Sequence, residues 1–140
     1  MFQKNTEDLL QELKAEKDIE SYFSKNQNEM AKKEFYEYLL FYMEKKNLSK
    51  VELICRSGLN RIYGYEILRG EKLPSRNKAI ALSVGLGLEL EDTQRFLKLA
   101  GHRELYSRDK RDAVILLAIT KHLKLMEINE LLFDRGFEIL

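Results

Sequence analysis

Cys55, His102 and His122 are the only cysteine and histidine residues of this chain, and they are its candidate soft ligands for a metal ion. A structural zinc site needs four such ligands, and these three do not supply them. Neither histidine lies in a motif that would complete a catalytic triad with the cysteine. We therefore expect no enzyme, no cofactor and no metal site. Cys55 is interpreted as a small buried apolar residue, and His102 as a residue at a helix end.

The charged residues are unevenly distributed along the chain. The formal net charge is +1, but residues 44–78 contain nine basic and four acidic side chains, a local net charge of +5. The remaining residues sum to −4. A basic segment in a nearly neutral chain is typical of a surface that contacts nucleic acid phosphates.

The composition limits the class of protein in which this basic segment can lie. The chain has 140 residues, with 44% hydrophobic and 34% charged residues, which fits one globular domain. No apolar stretch approaches the roughly 20 residues that a membrane span requires. Residues 1–17 lack the apolar region of a signal peptide, so no membrane contact and a cytoplasmic location are expected. One proline and seven glycines are too few for the turns of a β protein, which predicts an all-α fold.

The first 28 residues are expected to form a helical arm. Thr6 can cap a helix that ends near Lys17, Asp18 can cap a second short helix, and the polar residues 24–29 are expected to form a joint. The apolar residues of the arm are Leu9, Leu10, Leu13, Ile19, Tyr22 and Phe23.

A longer helix is expected from Met30 to about Lys46. Its apolar residues recur at helical spacing and should form one face that packs in the core. These residues are Phe35, Tyr38, Leu39, Tyr42 and Met43.

Two short helices are expected in the basic segment, separated by a glycine-containing turn. Ser49 and Glu52 form the S-x-x-E capping box, and Asn60 can cap the second helix. Two helices with this spacing have a helix-turn-helix layout. The expected ranges are Ser49 to Ser57-Gly58, Asn60 to about Leu68, and, after Gly70, a further helix from Pro74-Ser75 to Gly85.

An internal repeat follows when residues 76–105 are aligned with residues 111–140. Eight of the thirty aligned positions are identical. Each copy predicts a helix, an L-x-L connector and a second helix ended by glycine, so two stacked helical hairpins are expected. The identical pairs are Arg76 and Arg111, Ile80 and Ile115, Leu82 and Leu117, Leu88 and Leu123, Leu90 and Leu125, Leu97 and Leu132, Gly101 and Gly136, and Leu105 and Leu140.

Residues 48–70, continued by G-E-K-L-P-S, resemble the phage-repressor-like (Xre-type) helix-turn-helix family of transcription regulators. The resemblance covers Phe35 to Gly87. The whole chain is also similar to a larger group of bacterial regulators through four motifs. These are S-G-L-x-R-x-Y-x-Y-x-I at Ser57 to Ile67, P-S-R at Pro74 to Arg76, R-D at Arg111 and Asp112, and N-E-L-L at Asn129 to Leu132.

The resemblance implies a five-helix repressor-like helix-turn-helix core in residues 29–87. An N-terminal helical arm in residues 1–28 and a C-terminal helical hairpin region in residues 88–140 complete the expected organisation. The resemblance also implies that Arg61 can contact guanine, that Ile62 can contact a thymine methyl group and that Glu66 can contact cytosine. The implied base-contacting residues are Asn60, Arg61, Ile62, Tyr65 and Glu66, and the implied phosphate-contacting residues are Lys50, Arg69, Lys72 and Arg76.

Three positions depart from the family pattern. Ile54 stands where the family usually has a small residue, and Gly64 stands where it usually has a bulky aliphatic one. A size exchange, with Ile54 filling the space above Gly64, is therefore expected. Leu68 stands where many members have glutamate, and this makes the region more apolar than in a typical DNA-reading protein.

Two functions remain open. The first is a sequence-specific transcription regulator that binds double-stranded DNA as a homodimer, with two recognition helices roughly 34 Å apart. The second is a protein–protein adaptor that uses Ile62, Tyr65 and Leu68 on the same scaffold. In either case the arm is expected to pack on the hairpin region of its own or a partner chain. The sequence does not identify an effector.

Overall fold

The computed structural model describes residues 6–15 and 19–140, and every regular element in this part of the chain is an α-helix. The predicted all-α class is confirmed. None of the helices described there is both long enough and apolar enough to cross a bilayer. The eight helices are α1 (Thr6–Ala15), α2 (Ile19–Lys45), α3 (Lys50–Arg56), α4 (Arg61–Leu68), α5 (Arg76–Leu86), α6 (Leu90–Leu99), α7 (Lys110–Thr120) and α8 (Leu125–Asp134).

The prediction of a joint at residues 24–29 is wrong, because these residues lie within α2, a continuous helix of 27 residues. The segment contains no glycine or proline, and polar residues such as Ser, Asn and Gln cost a helix well under 1 kcal/mol each. The boundary expected after residue 28 therefore falls inside a helix. The cap expected at Asp18 and the side chains of Leu13, Tyr22 and Phe23 lie outside the described part of the chain.

The second half of α2 forms one side of the hydrophobic core, as its apolar spacing predicted. Phe35 and Leu39 are fully buried, and the rings of Phe35 and Phe96 on α6 lie 4.7 Å apart. The Tyr38 hydroxyl donates a hydrogen bond to the Asp92 carbonyl oxygen over 3.2 Å. One continuous cluster of buried side chains extends from Phe35 to Leu140. Residues 29–87 and 88–140 thus share a single core.

The predicted caps around α3, α4 and α5 are confirmed. The Ser49 and Glu52 side chains form the reciprocal capping box. The Asn60 amide oxygen accepts from the backbone N–H groups of Ile62 and Tyr63, at 3.0 and 3.2 Å. Ser75 caps α5. Each of these helices therefore begins where its local sequence indicated.

The expectation that α5 ends at Gly85 is wrong. The helix continues to Leu86, and its C-cap is Gly87 in the left-handed conformation, with φ of +68°. Gly85 is instead needed for close packing of α5 on α3. A Cβ at Gly85 would collide with Ser57 Oγ and would lie 3.2 Å from Leu53 Cδ1.

The predicted repeat is confirmed, because α5–α6 and α7–α8 are two helical hairpins with equivalent hydrogen bonds. Arg76 Nε donates to the Arg103 carbonyl oxygen at 3.1 Å, and Arg111 Nε donates to the Glu138 carbonyl oxygen at 2.9 Å. Both arginines thus bind a carbonyl group 27 residues later in the chain.

Two further features are repeated. The side-chain amides of Gln94 and Asn129 each accept a hydrogen bond from a leucine backbone N–H, that of Leu105 or Leu140, at 2.8 Å. His122 occupies the position equivalent to Gly87 and has a φ of +56°. The conformation of His122 is thus that of a helix-terminating residue.

The two hairpins are joined by a buried ion-pair network at Asp112, of which 1% is exposed. Arg76 donates to both carboxylate oxygens, at 3.1 and 2.9 Å. Arg103 Nη1 and the Tyr106 backbone N–H donate to Asp112 Oδ2 at 3.1 and 3.0 Å. The carboxylate is therefore fully hydrogen-bonded in its buried position, as a buried charge must be.

Acid should destabilise the protein through Asp112. Burial raises the pKa of this carboxyl, but hydrogen bonds from Arg76 and Tyr106 and the charges of Arg76 and Arg103 outweigh burial, so the pKa lies below its ordinary value of 3.8. A carboxyl with a depressed pKa adds stability that is present above its unfolded-state pKa of about 3.9 and is lost as the pH falls through the folded-state value. Urea unfolding between about pH 5 and pH 2 should show a steeper loss of stability for the native chain than for Asp112→Asn. Equal slopes would contradict this.

Candidate nucleic-acid interface

The helix α4 has one buried and one exposed side. Gly64, Ile67 and Leu68 are buried, whereas Arg61 and Ile62 are exposed. The Ile62 side chain is 75% exposed. The first turn of α4 is therefore free to contact another molecule.

The close packing of α4 on α3 confirms the predicted size exchange. A Cβ built on Gly64 would lie 2.9 Å from Ile54 Cγ1 and 3.1 Å from Ile54 Cδ1. Ile54 itself is buried. The isoleucine side chain thus occupies the volume that a larger residue at position 64 would need, and this contact fixes the spacing between the two helices.

Tyr63 attaches α4 to the start of α5. Its hydroxyl oxygen accepts a hydrogen bond from the Ser75 backbone N–H over 2.9 Å. Sequence reasoning missed this positioning residue, because the bond joins positions 12 residues apart and no local pattern indicates it. The motif S-G-L-x-R-x-Y-x-Y, which contains Tyr63, was the available signal.

The structure places the five residues expected to contact bases on or beside one side of α4. Arg61 and Ile62 are exposed, and Tyr65 and Glu66 are half-buried. Asn60 is exposed at the N-cap, but its amide oxygen already accepts two backbone hydrogen bonds. Asn60 can therefore offer only its amide NH₂ group to a base, so the bidentate adenine contact that asparagine often makes is not available to it.

The basic residues expected to contact phosphates differ in their surroundings. Lys50 is exposed and has no ion-pair partner among residues 6–15 and 19–140. Arg69 forms two hydrogen bonds to the Glu71 carboxylate, at 3.1 and 2.9 Å, which raise the pKa of Arg69 and lower that of Glu71. Lys72 Nζ lies 3.6 Å from Glu66 Oε2. Exposed pairs of this kind are weak and can exchange for other anions.

Arg76 lies apart from this exposed surface. Its side chain is only 16% exposed, and its guanidinium group donates to Asp112 and to the carbonyl oxygens of Arg103 and Glu104. A phosphate would have to displace a buried, multiply hydrogen-bonded carboxylate to reach it. We therefore leave Arg76 out of the candidate interface.

Cys55 and His102 are candidate metal ligands in the sequence, and the structure shows where each of them lies. The expectation that Cys55 is buried is wrong, since the free thiol is exposed near the end of α3. The first of the two histidines, His102, lies past the end of α6, and its Nε2 atom is 2.7 Å from the Pro74 carbonyl oxygen. Within the described residues, no group of three or more His, Cys, Asp and Glu side chains is placed to hold a metal ion.

Comparisons with protein-family models, with curated proteins and with solved structures found no match. The function is therefore inferred from the residues and geometry of this chain.

Proposed function

We propose that this protein is a sequence-specific DNA-binding transcription regulator of the Xre type, in which α3 and α4 form the helix-turn-helix of a repressor-like core. The observation that supports this most directly is the exposed first turn of α4, with Arg61 and Ile62 in solvent, on a helix fixed from behind by Ile54. A recognition helix must present side chains to base edges while its neighbours hold it in the major groove.

In this mechanism the phosphate contacts position the protein and α4 selects the sequence. Lys50, at the start of α3, is exposed and contacts a phosphate directly, and Arg69 and Lys72 exchange their exposed carboxylate partners for phosphates. Arg61 donates to guanine and Ile62 contacts a thymine methyl group. Such a regulator of bacterial genes acts in the cytoplasm, where its DNA lies.

We further propose that the regulator acts as a homodimer on a twofold-symmetric site. One short recognition helix contacts only a few base pairs, and a second copy supplies the specificity that a genome requires. The recognition helices of the dimer then lie about 34 Å apart, one helical turn of DNA.

The structure supports the adaptor function less well than DNA binding, because Leu68 is completely buried. Of the three apolar residues expected on the docking surface, only Ile62 and Tyr65 remain at least partly exposed. An exposed isoleucine next to the exposed Arg61 in the first turn of α4 fits a DNA groove better than a hydrophobic protein interface.

The proposal is tested by selecting binding sites from random double-stranded DNA and measuring affinity for the selected site at several salt concentrations. If Lys50, Arg69 and Lys72 of two copies contact phosphates, affinity should fall roughly 10³-fold between 50 and 200 mM salt. Failure to enrich any sequence, together with salt-independent capture of DNA or none at all, would contradict the proposal.

Arg61→Ala should weaken discrimination at one base position of the selected site by about 1–3 kcal/mol. Lys50→Ala should instead weaken binding to all sequences alike and reduce the salt slope by about 1 per subunit. Arg95→Ala is a matched control, because Arg95 is an exposed arginine on α6. The affinity of this variant for the selected DNA site should equal that of the native chain. The measurement is a titration of each variant against the selected site and its single-base substitutions. Uniform losses for Arg61→Ala on all of these sequences would contradict a base contact.

A further inference from the structure

The loop between α6 and α7, residues 100–109, is hydrogen-bonded to the loop between α4 and α5. The His102 ring donates from Nε2 to the Pro74 carbonyl oxygen at 2.7 Å. The residue after Pro74 is Ser75, whose backbone N–H donates to the Tyr63 hydroxyl oxygen on α4 at 2.9 Å. The α6–α7 loop therefore lies directly beside the connection that leads out of the proposed recognition helix.

The backbone of the α6–α7 loop is held in place by hydrogen bonds from two other elements. Leu105 is buried, and its N–H and carbonyl groups bond to the Gln94 side-chain amide at 2.8 and 3.0 Å. The Arg103 carbonyl oxygen accepts a hydrogen bond from Arg76 Nε, at the start of α5, at 3.1 Å. Because the backbone is already fixed, a side chain of this loop can bind a ligand with little cost in loop ordering.

The orientation of the Arg103 side chain is fixed as well. Its Nη1 atom donates to Asp112 Oδ2 at 3.1 Å, and Asp112 is 1% exposed. The Arg103 side chain itself is 62% exposed. In the described part of the chain this guanidinium group makes one hydrogen bond, from Nη1, so the edge formed by Nε and Nη2 is available. That edge presents the two parallel N–H groups with which arginine binds a phosphate or a carboxylate.

Among the described residues, the ion-pair network around Asp112 contains two positive charges and one negative charge. Arg76 and Arg103 both pair with this single carboxylate, at 2.9 and 3.1 Å. Arg76 is only 16% exposed, so the excess positive charge lies at the exposed Arg103. The neighbouring acidic residue, Glu104, pairs with Lys98 at 2.9 Å. A fixed surface cation that shares its only carboxylate with a second arginine attracts an external anion.

The second hairpin shows that the fold does not require a positive charge at the position of Arg103. Arg103 and Glu138 are equivalent in the internal repeat, as are Asp112 and Asn77. Arg103 bonds to Asp112 at 3.1 Å and Asn77 bonds to Glu138 at 3.0 Å, so the same contact between the hairpins is made once in each direction. One copy of the contact uses an arginine and the other a glutamate. The hydrogen bond is thus common to both hairpins, whereas the positive charge belongs to the copy beside the α4–α5 loop.

We propose that Arg103 contacts a DNA phosphate, and that the α6–α7 loop extends the DNA interface beyond the helix-turn-helix. Nη1 remains on Asp112, while Nε and Nη2 donate to two oxygens of one phosphate. The DNA strand whose phosphate is bound by Lys72, in the α4–α5 loop, continues past Arg103. This inference rests on the DNA binding of the proposed function, and it adds a contact that positions the protein without selecting a sequence.

The test is a titration of a random-sequence DNA duplex of about 30 base pairs at several salt concentrations between about 50 and 200 mM. Arg103→Gln keeps an N–H donor for Asp112 but removes the charge, so the slope of log affinity against log salt should fall by about 0.9 per subunit. The loss of affinity across this salt range then becomes about threefold smaller per subunit. Arg103→Lys keeps the charge and should keep the native slope. Arg95→Gln is the matched control, because Arg95 is 65% exposed and also lies beside an aspartate.

An unchanged slope for Arg103→Gln, an equal reduction for Arg95→Gln, or a native chain that does not bind the duplex would overturn the inference. Urea unfolding of Arg103→Gln identifies a purely structural role, because that role would lower the stability and leave the slope unchanged. The random duplex requires no sequence selection, so the two proposals can fail separately. If no sequence is enriched but Arg103→Gln reduces the slope, only the sequence-specific function fails. If a sequence is enriched and Arg103→Gln has the native slope, only the contact at Arg103 fails.

Discussion

Asp112→Ala is expected to lower the free energy of unfolding by about 3–5 kcal/mol. The substitution removes a carboxylate that is 1% exposed and leaves Arg76, itself 16% exposed, without its partner. Removing one partner of a buried ion pair is costly because the remaining charge has lost its solvent and its counter-ion. Urea unfolding at pH 7, followed by circular dichroism, measures the change.

Asn77→Ala provides an internal control for this prediction. Asn77 occupies the position in the first repeat that Asp112 occupies in the second, and it bonds to Arg111 and Glu138 at 3.0 Å each. These bonds involve one neutral partner and a more exposed site, so the loss should be about 1 kcal/mol. Equal losses for the two variants would contradict a special contribution from the buried charge.

Gly64→Leu is expected to lower the free energy of unfolding by roughly 1–3 kcal/mol through overpacking. The new side chain would have to displace Ile54, whose Cγ1 already lies 2.9 Å from the Cβ position. Thermal or urea unfolding of the variant measures the cost. A stability equal to that of the native chain would show that α3 and α4 can separate freely.

The size exchange makes a second, sharper prediction about the same pair. Ile54→Ala alone should cost about 2–5 kcal/mol by leaving a cavity. Combined with Gly64→Leu, it should cost less than the sum of the two single changes, because the leucine can fill the vacated space. Strict additivity would contradict direct packing between positions 54 and 64.

The local sequence alone determined where α3 and α4 begin and end and where α5 begins. The caps at Ser49, Asn60 and Ser75 form as predicted, because a cap depends on a side chain and backbone groups within three residues. The apolar face of α2 and the repeat were also readable, since helical periodicity sets which residues share one side. The contact between Ile54 and Gly64 was also predicted, because Ile54 is larger and Gly64 smaller than the residues that the resembled family usually has at these positions.

The tertiary structure decided which of the expected site residues are accessible. Arg76 belongs to the basic segment by composition, yet Asp112, 36 residues later, holds it inside the fold. The repeat contained a signal for this, because it aligns Asn77 with Asp112, each directly after an arginine. Leu68 and Cys55 were expected to be accessible and buried, respectively, and both expectations were wrong.

The internal position of Gly85 likewise depends on an element far away in the sequence. The polar residues 24–29 predicted a joint, and the helix is continuous there. Gly85 lies inside α5 because Ser57, the residue that follows α3, leaves no room for a side chain at that position. Local hydrogen bonds are set by neighbours in the chain, but burial and ion pairing are set by whichever helices the common core brings together.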